Sequence, residues 1–272
     1  MVRDVLRSRE LPVALAGIVA LTTLAWLDVW RRAAAMAQDM TTTSGGAQGM
    51  SGMNMAMHVP RSMPWYLPDL FAAGIMWTTM MVAMMLPSAM PMLLFFAATR
   101  RSRSGKRTIG LAVWLFAAGF LLCWAVWSWL AAGLQWTLQA AVALTPHMAI
   151  VRTPLAATIL IVAGVYQFTP LKYRCLSRCQ SPLGFLLTGW RSGNWGVLVM
   201  GLRYGAYCVG CCWALMALLF VVGIMNLLWI AVLAIFVLVE KTVARGPWPS
   251  HAAGAALIAW ALYLLVPVSG ML

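Results

Sequence analysis

Charged side chains are scarce in this sequence. Asp, Glu, Lys and Arg make up 9% of its 272 residues, whereas a soluble domain carries about 25%. Hydrophobic residues make up 63%, so a soluble fold would have too few polar side chains to cover its surface. The composition therefore predicts an all-α protein, a polytopic bundle of transmembrane helices whose apolar runs of about 20 residues each cross a lipid bilayer.

Histidine and acidic residues are also rare, and their scarcity excludes several kinds of site. The three histidines are His58, His147 and His251, too few for a haem or di-iron centre built on histidine. Apart from Asp28 and Asp69 near the ends of their runs, Glu240 is the single acid within the apolar runs, so neither a Ser-His-Asp hydrolase nor a proton-coupled transporter with several buried acids is expected. The chain also has no glycine-rich phosphate-binding loop, and an enzyme is the less favoured class.

Positive charge exceeds negative charge by 13, but its distribution argues against a nucleic-acid partner. Lys and Arg lie in short clusters between apolar runs, as the positive-inside rule describes for membrane proteins. Seven runs are predicted to be spans: residues 11–30, 69–97, 109–134, 155–171, 197–221, 224–240 and 252–269. Most of the clusters then fall on one side, which predicts an inside N-terminus and an outside C-terminus in a bacterial inner membrane.

A single membrane domain is predicted over residues 1–272. Within it, residues 31–67 form a methionine-rich outside loop, residues 68–242 form the core, and residues 252–270 carry the last span. The first span lacks a small-residue cleavage site at its end, so we expect it to be retained rather than removed as a signal peptide.

The six cysteines do not have the pattern of a secreted disulfide framework. Four lie inside apolar runs, and Cys175 and Cys179 lie in a basic segment predicted on the reducing side. Two cysteines alone make an incomplete zinc site. We therefore expect Cys175 and Cys179 to be reduced thiols, with transfer of an ion to a cytoplasmic acceptor as the alternative.

The outside loop is rich in methionine, an uncommon residue for a Ser/Gly-rich segment. Thioether sulfur is a soft, uncharged ligand that suits Cu(I) and binds hard cations poorly. The sulfur-bearing residues are Met36, Met40, Met50, Met53, Met55, Met57 and Met63, with His58 beside them. The close spacing from Met53 to His58 lets a flexible chain wrap a two- or three-coordinate ion. Metal capture is therefore favoured over the alternative, an amphipathic loop that lies on the membrane surface.

Span 5 has a face of cysteines. Three thiols stand at positions i, i+3 and i+4, with a methionine one turn further, so all four share one side of a helix. These residues are Cys208, Cys211, Cys212 and Met216. Cysteine also packs like alanine, and Gly201 and Gly205 fit a plain helix contact between small residues. Three thiols within five positions favour metal ligation or redox chemistry over packing.

Span 2 has a face of methionines. Met76, Met80 and Met84 follow at i, i+4 and i+8, although methionine is also a good gap-filler and packing explains this face taken alone. Spans 2 and 5 run in opposite directions, and at about 1.5 Å per residue Met80 and Cys208 both fall near mid-bilayer. If the two helices are neighbours, methionine and cysteine converge on one site.

Arg203 is the charged residue inside span 5. An arginine at this depth either extends to the membrane interface or pairs with an acid. Glu240, at the inner end of span 6, is the candidate partner, and both interpretations stay open.

Three segments resemble a known family: MVAMMLPSAMPM (81–92), YQFTPLKYRCLSRCQSP (166–182) and the stretch over residues 201–241 that contains YCVGCCWALM. They are similar to the bacterial proteins of domain-of-unknown-function family 2182, described as predicted metal-binding integral membrane proteins. The resemblance implies a helical membrane fold and metal binding. In the family's pattern the equivalents of Lys172, Cys175, Cys179, Cys208, Cys211, Cys212, Glu240 and Lys241 recur.

Together these features predict a membrane protein that binds a soft metal ion, copper as Cu(I), for transport, homeostasis or delivery. The predicted ligands are Cys208, Cys211, Cys212, Met216, Met76, Met80, Met84, Met53, Met55, Met57 and His58. The expected partners are the lipid bilayer and a membrane or periplasmic copper enzyme or chaperone, and no nucleic acid is expected. Two alternatives stay open: a membrane thiol-disulfide oxidoreductase that uses the three cysteines of span 5, and a structural or assembly subunit of a larger membrane complex.

Overall fold

A computed structural model describes residues 10–46, 67–104, 109–140, 153–243 and 246–266, and every regular element in these ranges is a helix. In chain order the helices are α1 (Glu10–Gly46), α2 (Leu67–Ser104), α3 (Ile109–Ala140), α4 (Thr153–Gln167), α5 (Pro170–Gln180), α6 (Pro182–Gly189), α7 (Gly193–Ala217), α8 (Leu219–Val222), α9 (Leu227–Thr242) and α10 (Trp248–Leu265). The expected all-helical class is confirmed for this part of the chain.

Four segments are long and apolar enough to cross a membrane: Pro12–Met36, Leu67–Arg100, Ile109–Gln139 and Gly193–Val222. The helices α4 and α5 form a fifth candidate, which is bent by 62° at the break between them. By contrast, α9 has 16 residues, fewer than the roughly 20 that span a bilayer without tilt or thinning. The described ranges thus support four spans, or five with the bent pair. The count of seven and the direction of the termini stay predictions.

The first helix is longer than the first predicted span. α1 continues to Gly46, so the segment predicted as a loop from residue 31 begins as helix. The extension is rich in Ala, Met and Gln, which are good helix formers, and Arg32 pairs with Asp28 one turn earlier at 2.7 Å. The predicted ligands Met53, Met55, Met57 and His58 lie outside the described residues.

The helix α3 lies between α2 and α7 and packs against both. Glycines allow α3 and α7 to bring their backbones into contact, because a Cβ atom added at Gly201 would fall on the Phe116 carbonyl and one at Gly119 on the Leu198 carbonyl. A Cβ at Gly205 would lie 2.9 Å from that of Cys123. The small-residue pair predicted in span 5 is therefore the contact with α3. The cysteine face of α7 does not take part in this contact with α3.

Candidate functional site

The cysteine face of α7 is buried and compact. Cys208, Cys211 and Cys212 are all excluded from solvent. The thiols of Cys211 and Cys212 both donate to the Cys208 carbonyl, with sulfur-to-oxygen distances of 3.1 and 2.9 Å. The three sulfur atoms are thus arranged around one helical turn, as the i, i+3, i+4 spacing predicts.

A second helix brings two more thiols to this face. The buried Cys179 thiol on α5 lies near Cys211 and interacts with it electrostatically. One turn earlier, Cys175 Sγ lies 2.9 Å from the position of a Cβ atom at Gly210. Glycine at position 210 therefore makes room for the Cys175 sulfur. Cys175 and Cys179, predicted in a basic loop, instead lie on a helix packed against α7.

Local sequence explains why this segment is helical. Thr169 caps α5 by accepting a hydrogen bond from the Lys172 backbone N–H, and Pro170 occupies the first turn, where its missing N–H costs nothing. The Tyr166 hydroxyl, at the end of α4, donates to the Gly210 carbonyl. The bend between α4 and α5 is thereby fixed against α7 at Gly210.

A buried lysine contacts the thiols. The Lys241 ammonium on α9 lies 2.8 Å from Cys208 Sγ and 3.2 Å from Ser88 Oγ of α2, and Lys241 is 6% exposed. No carboxylate pairs with it in the described part of the chain. Since a buried charge is stable only beside a compensating group, the thiols that surround Lys241 are the available source of negative charge.

The methionine face of α2 leads to this lysine. Met76, Met80, Met84 and Ser88 follow at four-residue intervals, and all four are buried. The Lys241 ammonium contacts both Ser88 and Cys208. Nearer the other end of α2, the ring of Trp77 lies 5.1 Å from that of Phe220 in α8. This antiparallel register places Met84 level with Cys212 and Met80 level with Met216.

Ser88, rather than Met80, is the residue of the methionine face that lies nearest to Cys208, since Lys241 contacts both. Met80 lies eight residues away from Ser88, about 12 Å along the helix. Lys241 connects the two helices at Ser88 and Cys208. The number and direction of the predicted spans do not determine the register of α2 against α7.

Glu240 has a different partner from the predicted one. Its Oε1 atom accepts hydrogen bonds from the Lys172 ammonium at 2.6 Å and from the Ser250 hydroxyl at 2.5 Å. Lys172 also donates to Gln167 Oε1. Arg203 is exposed on α7, so the hypothesis of an Arg203–Glu240 pair is wrong. Lys172, counted among the inner-loop charges, is instead 1% exposed.

This ion pair lies beside an open cavity. Gln167 Nε2 and Glu240 Oε2 are buried and have no hydrogen-bond partner in the described part of the structure. Gln167, Lys172, Ser250 and His251 line a cavity of about 270 Å³ at the bend between α4 and α5. One unpaired donor and one unpaired acceptor next to a polar cavity are the setting in which ordered water is found.

The thiol cluster does not have the geometry of a zinc site. Among the described residues, no group of three or more His, Cys, Asp or Glu side chains is placed to hold a metal ion. Zinc needs such a group, since it takes four tetrahedral ligands. A soft monovalent ion with two sulfur ligands does not.

Comparison with family models gives a match to residues 74–264, more than half of the chain, and the description of the matched family is "PpoB2: Copper chaperone". The chain belongs to this copper chaperone family. The matched region includes the whole thiol cluster, Lys241 and the Lys172–Glu240 pair. Comparisons with curated proteins and with solved structures give no match.

Membership in the copper chaperone family makes the function copper-related, as the soft-ligand faces predicted. The matched family agrees with the metal-binding part of the resemblance seen in the sequence, but it is not domain-of-unknown-function family 2182 by name. The match does not identify ligands, so the predicted ligand residues of this copper chaperone stay predictions.

Sequence reasoning from spacing missed three residues at the site: Cys179, Ser88 and Lys241. Ser88 continues the i+4 series of the methionine face, and this spacing was a usable signal. Lys241 ends an apolar run and looks like an ordinary interface lysine. Cys179 lies on a segment whose basic residues suggest a loop, and only the resemblance marked Cys179 and Lys241.

Proposed function

We propose that this protein binds Cu(I) within the membrane and delivers it to a copper enzyme. The observation that carries the proposal is the buried cluster of thiols from α5 and α7 in contact with the ammonium of Lys241. Copper is the cargo in this proposal, and no chemical conversion is required. Two of the thiols of Cys208, Cys211, Cys212 and Cys179 hold the ion in this proposal.

Charge balance supports a two-thiolate complex. Two thiolates and one Cu(I) carry a net charge of −1, which a buried site does not tolerate alone. Lys241 supplies the compensating positive charge at the position where Cys208 lies. A divalent ion on the same two thiolates would leave the site with a net positive charge, so the arrangement favours a monovalent ion.

The variant Lys241→Met tests this charge balance. It keeps an apolar side chain of similar length but leaves the copper complex with an uncompensated charge. If this costs about 3 kcal/mol, Cu(I) affinity falls by about a hundredfold, measured by competition with a Cu(I) chelator in detergent. Arg174→Met removes an exposed positive charge from α5 and is expected to leave the affinity unchanged. An unchanged or higher affinity in Lys241→Met would contradict the role of counter-charge.

We further propose the seven-span topology, with the N-terminus inside, in a bacterial inner membrane. In this arrangement the methionine-rich segment lies outside and captures Cu(I) through Met53, Met55, Met57 and His58. The methionine face of α2 then carries the ion toward the thiols. Two observations support this route for the ion. The structure has apolar helices long enough to span a membrane, and the methionine face of α2 is followed by Ser88, which contacts Lys241 beside the thiols.

Metal loading of the purified protein tests the function directly. After reduction and incubation with Cu(I), followed by desalting, we expect about one copper ion per chain by elemental analysis, since thiolate and thioether ligands select Cu(I). X-ray absorption at the copper edge should show sulfur neighbours of the bound ion. Copper far below one ion per chain after loading would refute the proposal.

Nothing in the described structure favours the oxidoreductase alternative over copper handling. All six cysteines are free thiols, and those of α7 are buried in a regular helix, where a disulfide between neighbours would need local distortion. Thiol trapping separates the two functions. Redox chemistry predicts a reversible disulfide in Cys208, Cys211 or Cys212, whereas copper handling predicts protection of these thiols by Cu(I).

A further inference from the structure

A second cavity lies away from the thiols, where α5, α6 and α7 meet. Its volume is about 170 Å³, and it is lined by Arg178, Phe185, Thr188, Gly189, Arg203 and Tyr207. Arg178 donates to the Thr188 hydroxyl at 3.4 Å, and the Arg203 guanidinium lies 3.9 Å from the position of a Cβ atom at Gly189. Two arginines from different helices therefore converge on one small cavity.

No acid neutralises these arginines in the described part of the chain. Of its six acidic residues, Glu240 is the only one after Asp69, and Glu240 is paired with Lys172. Neither Arg178 nor Arg203 forms an ion pair within the described ranges. Arginine stays charged in proteins, and two guanidinium groups at one cavity repel each other. Both arginines are exposed, and an anion from outside the chain would offset this repulsion.

The cavity lies at the height of a membrane interface. Arg203 belongs to a candidate span, and helix side chains tilt toward the N-terminal end of their helix, so a long arginine extends toward the start of α7. Trp195, two turns earlier on the same helix, is 73% exposed. Exposed tryptophan marks the boundary between the hydrocarbon and the headgroups.

An apolar surface adjoins the cavity. Leu183 and Leu187, one turn apart on α6, are both exposed, whereas Phe185 and Leu186 of the same helix are buried. The buried Phe185 forms the wall of the cavity and packs edge-on against Tyr207. The outer face of α6 thus offers apolar contact next to the two arginines.

We propose that this cavity binds the phosphate group of an anionic phospholipid. The two guanidinium forks match phosphate oxygens in bidentate geometry, and the Tyr207 hydroxyl is a further donor at the cavity wall. The exposed leucines of α6 take the acyl chain, which a free phosphate ion lacks. The lipid bridges α5 and α7, the two helices that carry the thiols, and this site is separate from the copper ligands.

Lipid titration of the full-length purified protein tests the site. Native mass spectrometry of delipidated protein should show retention of added phosphatidylglycerol and little retention of phosphatidylcholine. In the variant R178Q/R203Q the apparent affinity for phosphatidylglycerol should fall at least tenfold, the effect of losing about 1.4 kcal/mol of binding free energy. The control R174Q loses one exposed charge from α5 outside the cavity and should stay within twofold of the wild type.

Three outcomes decide the proposal. Equal phosphatidylglycerol affinity in R178Q/R203Q and the wild type would overturn it. Thermal protection by inorganic phosphate as large as that by phosphatidylglycerol would show a free-anion site and would also overturn it. The variant R203K keeps the positive charge but loses the bidentate guanidinium group. A loss of phosphatidylglycerol affinity that is smaller than that of R178Q/R203Q therefore supports the phosphate site. Copper content should be the same in all these proteins, which separates this test from that of copper binding.

Discussion

Replacing Cys208, Cys211 and Cys212 together by alanine is expected to lower bound copper from about one ion per chain to near zero, because Cys179 is then the one proposed thiol donor left and thioethers are weaker ligands than thiolates. The three sulfurs surround one buried helical turn, so no other described thiol on α7 replaces them. Each substitution removes one sulfur atom and leaves a small cavity, which costs about 1 kcal/mol or less. Because the triple variant also takes the Cys208 thiol away from the buried Lys241 ammonium, its helical fold is checked by circular dichroism before elemental analysis after Cu(I) loading.

Cys123→Ala is the matched control for the triple variant. Cys123 is also a free thiol in a candidate span, but it lies on α3 and its thiol donates to the Leu202 carbonyl at 3.2 Å, away from Lys241. We expect it to bind copper like the wild type. Full copper content in the triple variant would show that the thiols of α7 are packing residues, as a structural or assembly subunit requires.

The second large effect concerns stability. Glu240→Gln leaves the Lys172 ammonium buried without its counter-charge, and Lys172→Met leaves the carboxylate of Glu240 in the same position. Each single change is expected to lower the free energy of unfolding by about 3–5 kcal/mol. Unfolding in mixed micelles with increasing denaturing detergent, followed by tryptophan fluorescence, measures the loss.

The chain offers its own comparison for this ion pair. Arg32 and Asp28 on α1 are paired at 2.7 Å, nearly the distance of the Lys172–Glu240 pair, but their side chains are 40% and 36% exposed. Arg32→Gln should cost about 1 kcal/mol or less. The double variant Lys172→Met with Glu240→Leu leaves no unpaired charge and should recover at least half of the loss. Equal effects at the two ion pairs would contradict the argument that burial determines the cost.

Several features of the site were predictable from sequence. The spacing of Cys208, Cys211 and Cys212 requires them to share one side of a helix, because the helical period is fixed. The same period places Met76, Met80 and Met84 on one face. Composition is sufficient for the helical membrane class, since backbone groups in lipid have to be paired within the segment.

Other features were not predictable from local pattern. The basic residues around Cys175 and Cys179 suggest a loop, yet this segment is a capped helix that packs into the cysteine face. Lys172 and Lys241 look like interface lysines, but each is buried beside a compensating group. Whether a lysine is buried depends on the partner that another helix supplies, and sequence distance carries no information about that partner.

The low charge content of the sequence thus determined the helical membrane class, and the helical period determined which cysteines and methionines share a face. Tertiary structure alone decided which residues meet at those faces. Ser88 lies opposite Cys208 because α9 places Lys241 between α2 and α7, and Glu240 pairs with Lys172 because α5 folds back at the bend. Side-chain period is a local property of the backbone, whereas register and ion pairing depend on how helices distant in sequence pack together.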